Sequence, residues 1–115
     1  MKALIIISFL SAILFSCSSQ ACRQLPARFT TYTEAISQVK KSSFKLKEKA
    51  NTENSSWITS ANYYSCDGTT GYFIFSTNQR REYIHKGVPI DIWQGFKNAA
   101  SKGSYYDYNI KKSIF

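Results

Sequence analysis

The residues of this chain that could do covalent chemistry are three cysteines, Cys17, Cys22 and Cys66, and one histidine, His85. Cys66 and His85 could form a nucleophile and its base, because neighbouring strands of a sheet can bring two such side chains together. No supporting motif surrounds either residue, so we favour a chain without catalytic activity. A single histidine and the absence of a Cys-x-x-Cys motif also argue against a zinc site, and we expect no metal or other cofactor.

The N-terminus has the pattern of an export signal. Lys2 precedes an uncharged apolar run over residues 3–15, which is too short for the roughly 20 residues that span a bilayer. The run ends in the sequence LFSC, which resembles the lipobox of bacterial lipoproteins, with Phe15 where a small residue is usual. The resemblance implies that residues 1–16 are a lipoprotein signal peptide and that Cys17 carries the lipid. It also implies a membrane-anchored protein of the bacterial cell envelope, facing the periplasm or the cell surface.

A lipid on Cys17 would leave the thiols of Cys22 and Cys66. In an oxidising compartment these two residues could form one disulfide bond. On the chain-entropy model such a bond would stabilise the domain by about 4 kcal/mol at most. The alternative is two independent thiols, and the spacing of the two cysteines does not distinguish between these cases.

The charge of the chain predicts an anionic environment or partner. Its 115 residues include 15 lysines and arginines against 7 aspartates and glutamates, and removal of the signal peptide takes away only Lys2 among them. A basic protein suits the anionic surfaces of a cell envelope. The same balance also allows nucleic acid as a partner. The length is enough for one modest domain and excludes two.

Composition divides the mature chain into a tether, residues 17–28, and a single α+β domain, residues 29–115. The tether is small and polar without periodicity, which is typical of a flexible coil. A helix is predicted from Thr31 to Lys41, because its apolar residues recur at helical spacing and Thr31 forms a capping box with Glu34.

Alternating apolar residues and intervening turn formers predict a small antiparallel sheet of three to four strands. Lysines alternate with apolar residues at 43–47, which indicates an exposed edge strand. The other strands are predicted at 57–64, 72–76 and 82–85. We expect the N-terminal helix and a C-terminal helix to pack on one face of this sheet.

Gly87 and Pro89 predict a rigid turn into the second helix, because glycine can take a positive φ and proline suits the first helical turn. This helix is expected from about Pro89 to Ser101, and Gly103 is expected to end it. Its apolar stripe consists of Ile92, Trp93, Phe96 and Ala100. The tail at 104–115 is then predicted to be an extended segment packed back on the domain.

One set of residues in the second half of the chain has a recognisable spacing. Trp57 and Ile58 open it, and Tyr83-Ile84-His85 lies at its centre. The others are Gly87, Val88, Pro89, Phe96, Ala100, Ser101, Gly103, Tyr105, Tyr106, Asn109 and Ile110. In this combination the chain resembles the KTSC domain family, which usually has Tyr-x-Tyr at the centre, over about residues 57–112. The family is named after the C-terminal extension of some lysyl-tRNA synthetases, and this context implies RNA binding.

The high aromatic content predicts a binding surface on the sheet. Aromatic rings interleaved with basic side chains are typical of proteins that bind single-stranded nucleic acid, in which bases stack on the rings and cations hold the phosphates. The candidate binding residues are Tyr72, Arg80, Arg81, Tyr83 and His85. We favour the simpler explanation that the rings mainly fill the core, because a sheet this small needs large side chains to bury enough area. We favour a monomeric interaction module for an envelope protein, peptide or glycan, and keep a nucleic-acid-binding domain as the alternative, because a lipid-anchored protein would seldom meet RNA.

Overall fold

The computed structural model describes residues 20–112, so the predicted signal peptide (1–16) and Cys17 lie outside the described residues, as do residues 113–115. The described chain forms, in order, β1 (Gln20–Ala21), a 3₁₀ turn (Cys22–Gln24), α1 (Tyr32–Lys41), β2 (Ser42–Ser43), β3 (Leu46–Lys49), β4 (Ile58–Ser65), β5 (Thr70–Thr77), β6 (Glu82–Pro89), α2 (Ile90–Asn98) and α3 (Lys102–Asn109). Within these residues, no helix has the length and apolar character needed to span a bilayer.

The main sheet has four antiparallel strands in the order β3-β4-β5-β6. Each strand pairs with the next strand along the chain, as expected when turn formers separate alternating segments. A separate short pair joins β1 to β2 in parallel. The predicted α+β class with a small antiparallel sheet is therefore confirmed.

Helices cover both faces of this sheet, not one face as the sequence suggested. The core beneath α1 consists of Ala35, Ile36, Val39, Tyr64, Ile74 and Ile84. The larger core lies on the other face, beneath α2 and α3. The reason is visible in β5, which buries Phe73 and Phe75 on one face and Ile74 on the other. A strand that is apolar on both sides needs a covering layer on each.

The first helix begins as predicted. Thr31 is its N-cap, and the Thr31 hydroxyl accepts a hydrogen bond from the backbone N–H of Glu34. The Glu34 carboxylate reaches one residue further back than a capping box requires, and it accepts bonds from the hydroxyl and the backbone N–H of Thr30. These bonds lower the pKa of Glu34. Lys40 and Lys41 occupy the last turn, where the helix dipole favours positive charge.

The edge strand β3 begins later than predicted, at Leu46, because Ser42 and Ser43 pair with the N-terminal segment as β2. Its alternation is as expected. Leu46 packs on the larger core, whereas Lys47 lies over the ring of Tyr64 on the α1 face. The β3 strand therefore presents lysines to the α1 face and an apolar residue to the α2 and α3 face.

The β6 strand is longer than predicted, because it continues through Gly87 to Pro89, where the sequence suggested a rigid turn, and leads directly into α2. Gly87 has a φ of +71° and lies beside an irregularity in the pairing with β5. Only glycine adopts this backbone conformation without strain, so the prediction for Gly87 is confirmed. Pro89 is the N-cap of α2.

Two expectations for the C-terminal part were wrong. The α2 helix ends at Asn98 rather than near Ser101, and Gly103 does not terminate it. Gly103 lies instead in α3, a third helix where the sequence suggested an extended tail. Glycine, serine, aspartate and asparagine in α3 are weak helix formers, so local propensity does not reveal the helix. Its clearest local signal is the Ser101 hydroxyl, which accepts a bond from the backbone N–H of Ser104.

The segment from residue 20 to residue 29, most of which was predicted to be a flexible tether, packs on the domain. The β1 strand pairs with β2, and Leu25 and Phe29 lie against the core beneath α1. The Lys86 ammonium donates to the backbone carbonyl of Ala27 at 2.7 Å. Apolar contacts and hydrogen bonds of this kind outweigh the loss of chain entropy when the segment becomes ordered. The polar composition of the segment does not reveal these contacts.

Cys22 and Cys66 lie at disulfide distance, with their Cα atoms 5.7 Å apart. This arrangement corresponds to the bonded alternative for the two cysteines. It joins the N-terminal segment to the turn between β4 and β5. The turn is further held by Asp67, whose carboxylate accepts bonds from the backbone N–H groups of Thr69 and Thr70, which lower the pKa of Asp67 to about 2.

Candidate binding cleft

The structure separates the residues that were predicted to form one binding surface. Tyr83 packs on the larger core, and His85 faces Tyr106 of α3 on the same side of the sheet. Tyr72 lies on the opposite face, where its ring meets Phe44. Tyr83 and His85 are therefore brought together, and Tyr72 is not.

Arg80 and Arg81 lie in the exposed turn between β5 and β6. Arg80 has a φ of +65°, and it borders a groove beside α1 together with Tyr32 and Lys40. Neither arginine is among the residues that line the cleft in which Tyr83 lies. The predicted alternation of rings and cations on one face is not present among these five residues.

A cleft opens on the α2 and α3 side of the sheet, at the end where β5 turns into β6. Its volume is about 440 Å³. It is lined by Trp57, Phe75, Thr77, Asn78, Gln79, Tyr83, Tyr106, Asp107 and Lys111. These residues come from the chain just before β4, from β5, β6 and the turn between them, and from α3 and the residues that follow it, so only the folded chain assembles the cleft. Its size falls within the range of small-ligand sites.

Aromatic rings form the floor of the cleft. The ring centroid of Phe75 lies 4.6 Å from that of Tyr106 and 5.3 Å from that of Tyr83. Trp57 meets Phe75 and Tyr106 edge to face, at 6.2 and 5.9 Å. Such offset and edge-to-face pairs are the preferred arrangements of aromatic side chains. The rings hold one another in place, so the floor is formed before any ligand arrives.

The rim of the cleft carries amides and one pair of opposite charges. Asn78 and Gln79 contribute from the β5–β6 turn, and Asp107 and Lys111 from the α3 side. The Asn78 amide donates to the backbone carbonyl of Ser56 at 3.3 Å, which holds the turn against the start of β4. The rim therefore offers both donors and acceptors with no excess of one charge. This chemistry suits a neutral or zwitterionic polar ligand.

His85 lies beneath the cleft rather than on its surface. Its side chain belongs to a residue that is 6% exposed, and its Nε2 lies 2.9 Å from the hydroxyl oxygen of Tyr106. Burial raises the pKa of Tyr106 to about 12, with smaller contributions from Tyr32, Asp107 and Tyr83. The hydroxyl is thus protonated at neutral pH. The hydrogen bond fixes the Tyr106 ring in the cleft wall, which makes His85 a positioning residue.

Gly103 allows Trp57 to line the cleft. A Cβ at residue 103 would overlap the indole of Trp57, so the missing side chain lets α3 approach the start of β4. The Ser55 hydroxyl accepts a bond from the backbone N–H of Ile58 at 3.0 Å, which fixes the chain next to Trp57. The glycine that was expected to end a helix instead provides space for an aromatic wall.

Local sequence patterns do not mark most of the cleft as a site. Trp57 and Tyr106 appear only among the residues that carry the family resemblance, and that grouping is the one signal that points to them. Nothing in the local pattern singles out Asn78, Gln79 or Asp107. They follow from where the turn and α3 meet in space.

The structure does not bring together the two residues considered as a catalytic pair. Cys66 lies in the turn after β4, at disulfide distance from Cys22. His85 is hydrogen-bonded to Tyr106 beneath the cleft. Across residues 20–112, no three side chains of Asp, Glu, His or Cys come together as a metal site would require.

Comparison with known proteins identifies one family. The profile described as KTSC domain matches residues 54–115, which is more than half of the chain. No curated protein and no solved structure matches it. The matched range begins just before Trp57 and contains every residue that lines the cleft. The chain therefore belongs to the KTSC domain family.

Proposed function

We propose that this KTSC domain protein is a non-catalytic interaction module, held at a membrane of the bacterial cell envelope by a lipid on Cys17, and that the cleft beside Trp57 and Tyr106 takes its ligand. The observation that carries the proposal is the combination of a preformed aromatic floor and a polar, charge-balanced rim in one concave site. Such sites bind through apolar contact and a few oriented hydrogen bonds.

The chemistry of the cleft favours a peptide or glycan segment. A sugar ring or an apolar side chain can lie on the aromatic floor, while its hydroxyls or amides bond to Asn78, Gln79 and Asp107. A polyanion fits less well, because the carboxylate of Asp107 offsets the single ammonium of Lys111. Nucleic acid is also disfavoured by the separation of Tyr72 from Tyr83 on opposite faces of the sheet.

A photo-crosslinking amino acid at Gln79 tests the cleft in intact cells. Gln79 is exposed at the rim, so the replacement should leave the fold unchanged and capture whatever occupies the cleft. The matched control is the same amino acid at Glu53, which is exposed in the loop between β3 and β4 and lies outside the cleft. Adducts at Gln79 and not at Glu53 are expected. The same adducts at both positions would contradict a specific site.

Two tyrosine variants separate the cleft from the other face of the sheet. Tyr83 and Tyr72 are both half-buried tyrosines on neighbouring strands, but only Tyr83 lines the cleft. Tyr83→Ala should abolish the adducts formed from Gln79, and Tyr72→Ala should leave them unchanged at equal protein level. Loss of adducts in the Tyr72 variant alone would place the ligand on the α1 face.

The membrane anchor is tested at Cys17. Several acyl chains, at about 0.8 kcal/mol per buried CH₂, hold a protein far better than charge alone. Wild-type protein should therefore fractionate with membranes, and Cys17→Ser should leave it as a precursor or release it. Wild-type protein that is wholly soluble, with its first twenty residues intact by mass spectrometry, would rule out the anchor.

A further inference from the structure

Exposed lysines form a second surface, away from the cleft. Lys47 pairs with Tyr64 of β4, and its ammonium lies over the Tyr64 ring, 5.9 Å from the centroid. Tyr64 belongs to the core beneath α1, so Lys47 and, two residues on, Lys49 point to the α1 face. Further exposed lysines lie at the end of α1 and just before β3. We call Lys41, Lys45, Lys47 and Lys49 the lysine face.

The lysine face carries charge of one sign. The only acidic residue between Lys41 and Lys49 is Glu48, and its carboxylate points to the opposite face, where it binds Lys97 at 2.7 Å. The second ion pair found among residues 20–112 joins Lys40 to Glu82. Neither pair neutralises a member of the lysine face. Its four ammonium groups remain available to an anionic partner.

The N-terminal segment joins the domain beside the lysine face. Gln20 of β1 lies opposite Ser42 of β2, and β2 falls in the chain between Lys41 and Lys45. Cys17 is three residues from Gln20, a distance of no more than about 11 Å along an extended chain. Lysines on an edge strand also discourage pairing with other chains. That role does not explain why these lysines lie next to the place where the predicted lipid anchor would join the domain.

We propose that the lysine face contacts the anionic phospholipid headgroups of the bilayer. This inference rests on the proposed membrane anchoring, and it adds the orientation of the domain relative to the membrane. The cleft lies on the α2 and α3 side of the sheet, so contact through the lysine face turns the cleft away from the membrane, towards a partner. A lipid chain combined with a basic patch is a known two-signal arrangement for membrane attachment.

The strength of this contact follows from the number of lysines. Each lysine close to an anionic membrane surface strengthens binding by about fivefold. Four such lysines together should therefore contribute on the order of several hundredfold. Because the lysines are exposed, salt should screen the contact within a Debye length of about 10 Å.

Vesicle binding of a lipid-free form tests the proposal. Cys17→Ser with an exchanged, cleavable leader leaves residues 18–115 intact, so binding cannot depend on acyl chains. The protein is sedimented with vesicles of phosphatidylcholine alone or with added anionic phosphatidylglycerol. Binding is expected only with the anionic lipid and should weaken as salt is raised. Lys47→Gln combined with Lys49→Gln should weaken it about 25-fold. The melting temperature should change only slightly, because both side chains are exposed and the variant loses a single cation–π contact with Tyr64.

The matched control is Arg81→Gln combined with Lys112→Gln, which removes the same charge from exposed residues outside the lysine face. It should weaken vesicle binding by less than about twofold. Equal weakening in both double variants would reveal unspecific charge attraction and overturn the proposal. Absence of binding to anionic vesicles would do so as well.

Single-stranded oligonucleotide provides the remaining comparison. If it bound more tightly than the anionic vesicles and depended on Lys47 and Lys49, the lysine face would belong to a nucleic acid and the proposal would fail. The crosslinks from Gln79 and the fractionation of wild-type protein use neither lysine. Failure of the proposed function and failure of the lysine face can therefore be told apart.

Discussion

Replacing Trp93 with alanine should destabilise the domain by about 3–5 kcal/mol, the usual cost of truncating a large buried aromatic side chain. Trp93 is 0% exposed. Its ring stacks on Tyr63, with centroids 5.2 Å apart and planes within 9°, and it contacts Phe73 and Phe96. Alanine would leave a cavity at the centre of the larger core, where four rings pack together.

The indole nitrogen of Trp93 also stabilises the domain through a hydrogen bond. It donates to the Glu48 carboxylate at 2.7 Å, and the Lys97 ammonium binds the same oxygen at 2.7 Å. The bond from Lys97 and then that from Trp93 lower the pKa of Glu48. Because Glu48 is partly exposed, the indole bond should contribute about 1–2 kcal/mol, less than a fully buried bond to a charged group. Trp93→Phe keeps much of the packing and should lose about this amount.

Urea denaturation followed by circular dichroism measures both effects. With a slope of about 1–3 kcal/mol per molar urea, the midpoint of Trp93→Ala should fall by at least about 1 M. The control is Gln94→Ala on the exposed side of the same helix, which should change stability by less than about 0.5 kcal/mol. Wild-type stability in Trp93→Ala, together with lost crosslinks from Gln79, would make α2 a contact surface and refute the packing argument.

Reduction of the bond between Cys22 and Cys66 should lower the free energy of unfolding by up to about 4 kcal/mol and the melting temperature by several degrees. Free thiols at these two cysteines, found by mass mapping of protein kept under oxidising conditions, would contradict the bond. Raising the pH from about 10 to about 12 should destabilise the fold, because burial raises the pKa of Tyr63 and of Tyr106 to about 12 while the unfolded chain ionises near 10. This stability is present below pH 10 and is lost as the pH rises, by about 2.7 kcal/mol at most for each of these two tyrosines. Burial also raises the pKa of Tyr64, Tyr72 and Tyr105, so Tyr106→Phe should reduce the loss in urea titrations without abolishing it. Gly103→Ala should push a Cβ into the Trp57 indole and cost about 1–3 kcal/mol; unchanged melting and unchanged Gln79 crosslinks would show that the wall is not packed as described.

Elements whose signals are local could be predicted from the sequence. The first helix depends on the Thr31 cap and on apolar residues within two turns, so both of its ends were close to the predicted positions. The α2 helix began where Pro89 indicated. The α3 helix could not be predicted, because its residues are weak helix formers and its stability comes from packing Tyr106 and Ile110 into the larger core.

The sequence by itself determined the family, the α+β class and the order of most elements, because these depend on residue identity and on spacing along the chain. Only the tertiary structure decided which aromatic residues share a site. Alternation shows that Tyr83 and His85 share a face, but whether Tyr72 joins them depends on the register between β5 and β6 and on the irregularity beside Gly87. The cleft forms where a strand start, a turn and α3 meet, and packing alone sets that meeting, since no local pattern links segments so far apart in the chain.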